Sequence, residues 1–211
     1  MSTHHRPVIA FTATVAAILA GLSAPGSRAL AAGPAPAAVQ ACWDFSTLQQ
    51  AVPYRRGDTF VAPNATIEMK HYLLNGNLNI NANARAQAQQ TQIAGGPAPE
   101  FRLYILNAHV EPNTPANSVT FDFGHQLGLG GGQANLGVNG GLVEVTTSLA
   151  NLDGIVMGEP AIGTVRVNVA LNGQIGVSPE QGTVTLTALN GQIEQFTFGG
   201  VQLYVDNLCI Q

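Results

Sequence analysis

The sequence predicts an all-β protein, an antiparallel β-sandwich of jelly-roll type with its N- and C-terminal strands paired. Three observations predict it. Apolar residues recur with a period of two through segment after segment, Asn-Gly pairs separate those segments, and convincing amphipathic helices are absent. About nine short strands at turn-punctuated spacing fit a jelly roll better than a bundle or a doubly wound sheet.

The chain opens with a weakly basic start (His4, His5, Arg6), an apolar run from Val8 to Ala24 and the small-x-small triplet Ala29-Leu30-Ala31. That is the layout of a secretory signal peptide over residues 1–31, cut after Ala31. An uncleaved anchor is the alternative. The run is short for a membrane span, and Thr12, Thr14 and Ser23 interrupt it. Residues 32–40 read as an Ala/Pro-rich linker, and 41–211 as a single β-sandwich domain of a length that can bury a proper core.

The predicted strands follow in order. "ACWDFS" (41–46) opens the domain, and "TIEMKHY" (66–72) sets Ile67 and Met69 against Glu68 and Lys70. "EFRLYIL" (100–106) puts Phe101, Leu103 and Ile105 on one face, and "SVTFDF" (118–123) does the same with Val119, Phe121 and Phe123. "GTVRVNVAL" (163–171) and "GTVTLTAL" (182–189) alternate in the same way, and "GGVQLYVDNLCI" (199–210) closes the chain. Asn75-Gly76, Asn139-Gly140, Asn172-Gly173 and Asn190-Gly191 supply residues that accept the positive φ of tight hairpins. Residues 81–94, "NANARAQAQQTQIA", carry helix formers but alternate small and polar residues, and read as an edge strand. "GTVRVNVALNGQI" and "GTVTLTALNGQI" echo each other; consecutive hairpin strands explain this, and a β-solenoid is the alternative.

The formal net charge is −4; without the leader's Arg6 and Arg28, six basic residues face twelve acidic ones, a net of −6. Apart from Arg55-Arg56 the basic residues are scattered, so nucleic acid is not an expected partner. Once the leader is removed no other stretch is long and apolar enough to hold a membrane.

The two cysteines, Cys42 and Cys209, in an exported chain read as one disulfide; free or metal-binding thiols are the alternative, without His or Cys at ligand spacing. If they are directly opposed in an antiparallel pair, Asp44 faces Asn207, and strict alternation sends Asp206 to the other side of the ribbon. Two readings stay open: an Asp44–Asn207 hydrogen bond beside the disulfide, or a structural Ca2+ held by Asp206 and Asp44.

A resemblance extends this. "DFSTLQQAVPYRRGDTFVAPNATIEM", "VTFDFGHQLGLGGGQANLGVNGG" and "GTVTLTALNGQIEQFTFGGVQLYVDNLCI" resemble a loose group of exported bacterial β-sandwich proteins, similar in outline to carbohydrate-binding-module jelly rolls. Some of those modules hold a structural Ca2+ with an Asp on the last strand, which by resemblance points to Asp206. This chain has Gln202 where an acid is frequent in the group.

The Gly-rich stretch Gly124 to Gly141 reads first as a flexible connection built of turn-forming residues; a ligand-binding loop with His125, Gln133, Asn135 and Asn139 as polar tips is the alternative. His71, His109 and His125 show no local metal spacing, so a zinc site needs three distant strands. Trp43 points away from Cys42 and Asp44 and reads as a core or ribbon-covering residue; a sugar-stacking platform is the alternative. Glu68, Glu144, Glu159, Glu180 and Glu194 are spread through the chain, there is neither Gly-x-Ser-x-Gly nor His-Glu-x-x-His, and no catalytic residue is nominated. The expectation is a secreted, periplasmic or cell-surface binding or display module, non-enzymatic, with polysaccharide or extracellular matrix as partner and a structural Ca2+ as the one candidate cofactor. A structural envelope or matrix protein is the first alternative, and a jelly-roll hydrolase the second.

Overall fold

The alternating segments form strands in the computed structural model, which describes residues 41–89, 100–127, 132–173, 176 and 178–211. The leader and linker, residues 90–94 of the small-polar segment and the centre of the Gly-rich stretch lie outside the described residues. The described residues form thirteen strands: β1 (Ala41–Trp43), β2 (Thr59–Ala62), β3 (Ala65–Leu74), β4 (Asn77–Asn79), β5 (Arg85–Gln89), β6 (Glu100–Pro112), β7 (Ser118–His125), β8 (Ala134–Val138), β9 (Glu144–Thr146), β10 (Val156–Met157), β11 (Gly163–Leu171), β12 (Glu180–Gly191) and β13 (Phe196–Ile210). A 3-10 turn, Leu149–Leu152, lies between β9 and β10, and the described residues include no α-helix. The protein is all-β, and every pairing between these strands is antiparallel.

The main path of the sheet runs β10-β11-β12-β7-β13-β6-β3-β2. The echoing segments are β11 and β12, a hairpin with Gly163 opposite Gly191 and Leu171 opposite Gly182. That antiparallel register overturns the solenoid alternative, whose coils stack in parallel. Asn75 and Gly76 both take positive φ, 50° and 77°, and turn β3 into β4. Asn139 and Gly140 do the same between β8 and β9, at 49° and 71°.

β13, 15 residues long, is the axis of the fold. Along one edge it pairs with β6 and then β1; along the other, with β8 and then β7. The terminal strands therefore pair, with Cys42 opposite Cys209 and a disulfide between them.

Two long strands break strict alternation. Ile105 on β6 (φ 58°), and Gln202 and Asn207 on β13 (φ 59° and 49°), adopt left-handed backbone where the register shifts. Ile105 consequently leaves the face of Phe101 and Leu103, a correction to the predicted stripe; the core is continued by Leu106, Ala108 and Val110. On β13 the core face runs Phe196, Phe198, Leu203, Val205, Leu208 and Ile210, resetting at each bulge. Ile105 and Val201 instead join Tyr72 in a separate small cluster, where the Tyr72 hydroxyl donates to the Gln133 carbonyl at 2.8 Å.

At the clasp end the core is aromatic. Phe45 stacks on Phe101 with ring centroids 5.2 Å apart, Trp43 lies 4.2 Å from Phe45, and Phe60 and Tyr54 close the group. Trp43 is buried, as its position predicts, and its indole N–H donates to Thr47 Oγ1.

Candidate functional site

The clasp holds the residues that the sequence singles out for an ion. Asp44 follows the end of β1, and its Oδ1 accepts from the Ser46 N–H and hydroxyl at 3.0 and 2.6 Å. These bonds hold its carboxyl below the usual carboxylate range. Asn207, turned by its bulge, donates from Nδ2 to Asp122 Oδ2 on β7 at 2.8 Å. The expected Asp44–Asn207 hydrogen bond is therefore not formed, because β1 stops at Trp43 and the bulge at Asn207 cancels the alternation that would align the pair.

Asp206 is fully buried directly opposite Asp122. Its Oδ1 accepts the Asn207 N–H at 2.8 Å, while Oδ2 has no hydrogen bond. Burial raises its carboxyl to about 6, and the charges of Glu100, Asp122 and Asp44 add to the rise. Asp122 is already engaged, accepting from Thr183 Oγ1 and Asn207 Nδ2. No group of three or more His, Cys, Asp or Glu side chains among the described residues is arranged to hold a metal, and Asp44 spends its Oδ1 on its own turn.

The four residues expected at the tips of the Gly-rich loop are not tips. His125 ends β7, fully buried and opposite Glu180; burial lowers its imidazole below the ordinary value, against the opposing pull of the Glu180 charge. Glu180 itself accepts the buried Ser148 hydroxyl at 2.7 and 2.9 Å. Gln133 pairs with Asn75 through both ends of its amide. Asn135, on β8, reaches over Gly199 to donate to Asn107 Oδ1, and a Cβ at Gly199 would collide with that same oxygen. Asn139 donates to the carbonyls of Gly163 and Gln192 and accepts from the Glu194 and Gln195 N–H groups, which uses its whole amide on backbone. His125, Asn135 and Asn139 are fully buried, and the amides of Asn135 and Asn139 bind within the sheet.

The described surface does hold a polar pocket elsewhere, of about 330 Å³, lined by Arg55, Arg56, His71, Asn79, Asn81 and four apolar residues. Its first wall is the turn Arg55-Arg56-Gly57-Asp58. Gly57 at φ 86° allows the turn, Asp58 N–H donates to the Arg55 carbonyl, and Asp58 Oδ2 accepts the Arg55 N–H at 2.7 Å. Gly57 N–H to Met69 O, and Met69 N–H to Asp58 O, fasten the turn to β3 two residues from His71. Arg56 Nη1 then lies 3.2 Å from His71 Nε2. A guanidinium can only donate, so Nε2 is the acceptor and the ring proton sits on Nδ1, toward the Asn79 carbonyl at 3.4 Å.

The opposite wall is the segment after β4. Asn79 Oδ1 accepts the Asn81 N–H and Asn81 Oδ1 accepts the Asn83 N–H, two successive side-chain turns that fix residues 80–84 outside any strand. Leu106, just past the Ile105 bulge, makes part of the floor. Among the described residues neither guanidinium is in an ion pair; Lys70 is paired with Glu68, while Arg85 and Arg102 lie over tyrosine rings. Sequence reasoning marks Arg55-Arg56 as the one basic doublet but has no means of bringing it to His71 and the asparagine segment.

A shallower cavity of about 310 Å³ has Glu144 and Glu159 in its lining, both exposed, and among the described residues no hydrogen bond orients either carboxylate. Compared with protein-family models, curated proteins and solved structures, the chain matches none.

Proposed function

We propose that this protein is an exported, non-enzymatic module that binds polysaccharide or extracellular matrix through the pocket over His71. One observation carries the reading: five polar side chains converge on a concave surface of about 330 Å³ whose walls are fixed by backbone-anchored turns. Preorganised amides and guanidiniums suit ligands dense in hydroxyl and oxyanion acceptors, since the binding groups lose little freedom when the ligand arrives. The Cys42–Cys209 disulfide supports export, because such bonds persist in oxidising compartments. The layered jelly-roll arrangement belongs to the same reading.

The purified protein, tested by affinity electrophoresis through gels cast with a panel of polysaccharides, is expected to be retarded by at least one. Retardation should vanish in the Arg55→Ala/Arg56→Ala variant. Retardation by none of them, or retention unchanged in that variant, overturns the reading.

The Glu144–Glu159 cavity favours a second reading, a hydrolase, since glycoside cleavage uses two carboxylates across a cleft. Release of reducing ends that is abolished by either Glu144→Gln or Glu159→Gln would establish it in place of the first.

A further inference from the structure

Resting on that reading of the pocket, we infer that its ligand is an acidic polysaccharide, one bearing carboxylate or sulfate, and that the Arg55-Arg56 turn is the element that recognises the charge. Neutral sugars are held by amides together with an aromatic face on which the ring stacks. This pocket has the amides of Asn79 and Asn81, but its apolar lining is Ile80, Ala82, Ala84 and Leu106, with no aromatic ring. Stacking is therefore not available to supply affinity, and hydrogen bonding with charge must do so.

The charge present has one sign. Of the residues lining the pocket only Arg55 and Arg56 carry a full charge, both positive; the Asp58 carboxylate of the same turn accepts the Arg55 N–H, and the chain as a whole has a formal net charge of −4. Such a molecule repels polyanions as a whole, so a local concentration of two guanidiniums is a feature against the background and not a sample of it. The guanidinium fork matches the paired oxygens of a carboxylate or sulfate. Arg56 donates one N–H to His71 and keeps the others for a ligand, while the imidazole holds the side chain in place. Ile80, 78 % exposed beside this cluster, gives the rim a small apolar surface for the sugar's C–H face.

The test is a titration of the full protein with polygalacturonate, dextran sulfate and uncharged dextran at low and moderate salt. Saturable binding to one or both acidic polymers and not to dextran is expected, weakening as salt rises. Polygalacturonate alone assigns carboxylate, dextran sulfate alone assigns sulfate. Arg56→Gln should weaken the acidic polymer by roughly tenfold or more, the usual loss for a charged hydrogen bond, while Arg166→Gln, exposed on β11, leaves it unchanged. Dextran bound as tightly as the acidic polymers overturns the charge assignment and leaves polysaccharide binding standing. Binding to none of the three while another neutral glycan binds does the same, and no glycan binding at all ends both. An equal loss in Arg56→Gln and Arg166→Gln shows diffuse attraction and overturns the site.

Discussion

Asp206 is a buried carboxyl raised to about 6 from an ordinary 3.8, and the direction of its effect on stability follows from that. The folded protein binds this proton more tightly than the unfolded chain does. Its contribution is therefore fully present below pH 3.8 and is lost as pH rises through 6. His125 works in the opposite sense: the fold excludes a proton that the unfolded imidazole takes up below about 6.5, so acidification costs stability through that group. A wild-type pH curve mixes the two, and a variant separates them. Asp206→Asn is expected to stabilise the protein at pH 7.5 by up to about 3 kcal/mol, the linkage limit for a shift of this size, with the gain shrinking to near zero by pH 3.5. Urea denaturation at pH 3.5, 5 and 7.5 measures it; a gain that is the same at all three would show that ionisation is not its source.

At the scale of the element, β6 and β13 each carry left-handed residues in mid-strand, and these bulges decide which side chains reach the core. Left-handed backbone costs a β-branched residue more than an unbranched one, and glycine nothing sterically. Gln202, half-buried at φ 59°, is the position where this can be read without removing core packing. Gln202→Val is expected to destabilise by about 1–2 kcal/mol, whereas Gln202→Gly stays within about 0.5 kcal/mol of the wild type, because relief of the left-handed cost offsets the added freedom of the unfolded chain. Equal urea midpoints for the two variants would mean that positive φ is not what the position demands. The same bulges mark the limit of what the sequence discloses. Period-two runs and Asn-Gly turns are local signals, so the long strands and the β3–β4 turn were legible. Nothing in Ile105 or Gln202 announces left-handed backbone, so period-two alternation alone puts Ile105 on the wrong face. Asn207 tolerates that conformation, but alternation alone set it beside Asp44. The pocket is not legible in the sequence: the basic doublet is visible, but the asparagine segment reads as an edge strand, and their meeting at His71 depends on pairings between β3, β4 and the turn at Gly57.

For the whole molecule, β13 sets the dependence of one part on another. It pairs with β6, β7 and β8 through long ladders, but holds β1 by only three residue pairs and the disulfide. β1 leads directly into Trp43 and Phe45, whose rings complete the aromatic core against Phe60 and Phe101. A three-residue strand is a weak anchor for so much buried surface, and the covalent link compensates by keeping the ends together in the unfolded chain as well. The cross-link closes a sequence separation of 167 residues, for which the chain-entropy model gives about 5 kcal/mol, an amount that strain and residual unfolded structure reduce. The Cys42→Ser/Cys209→Ser variant is therefore expected to lose about 2–5 kcal/mol in urea, and the wild type under reducing conditions to fall to the same midpoint. Near-ultraviolet circular dichroism should report loosening of the aromatic group, because Trp43 then rests on packing and three strand pairs alone. If reduction left both the midpoint and the aromatic signal unchanged, β1 would be held by its packing alone and the disulfide would be dispensable to the fold.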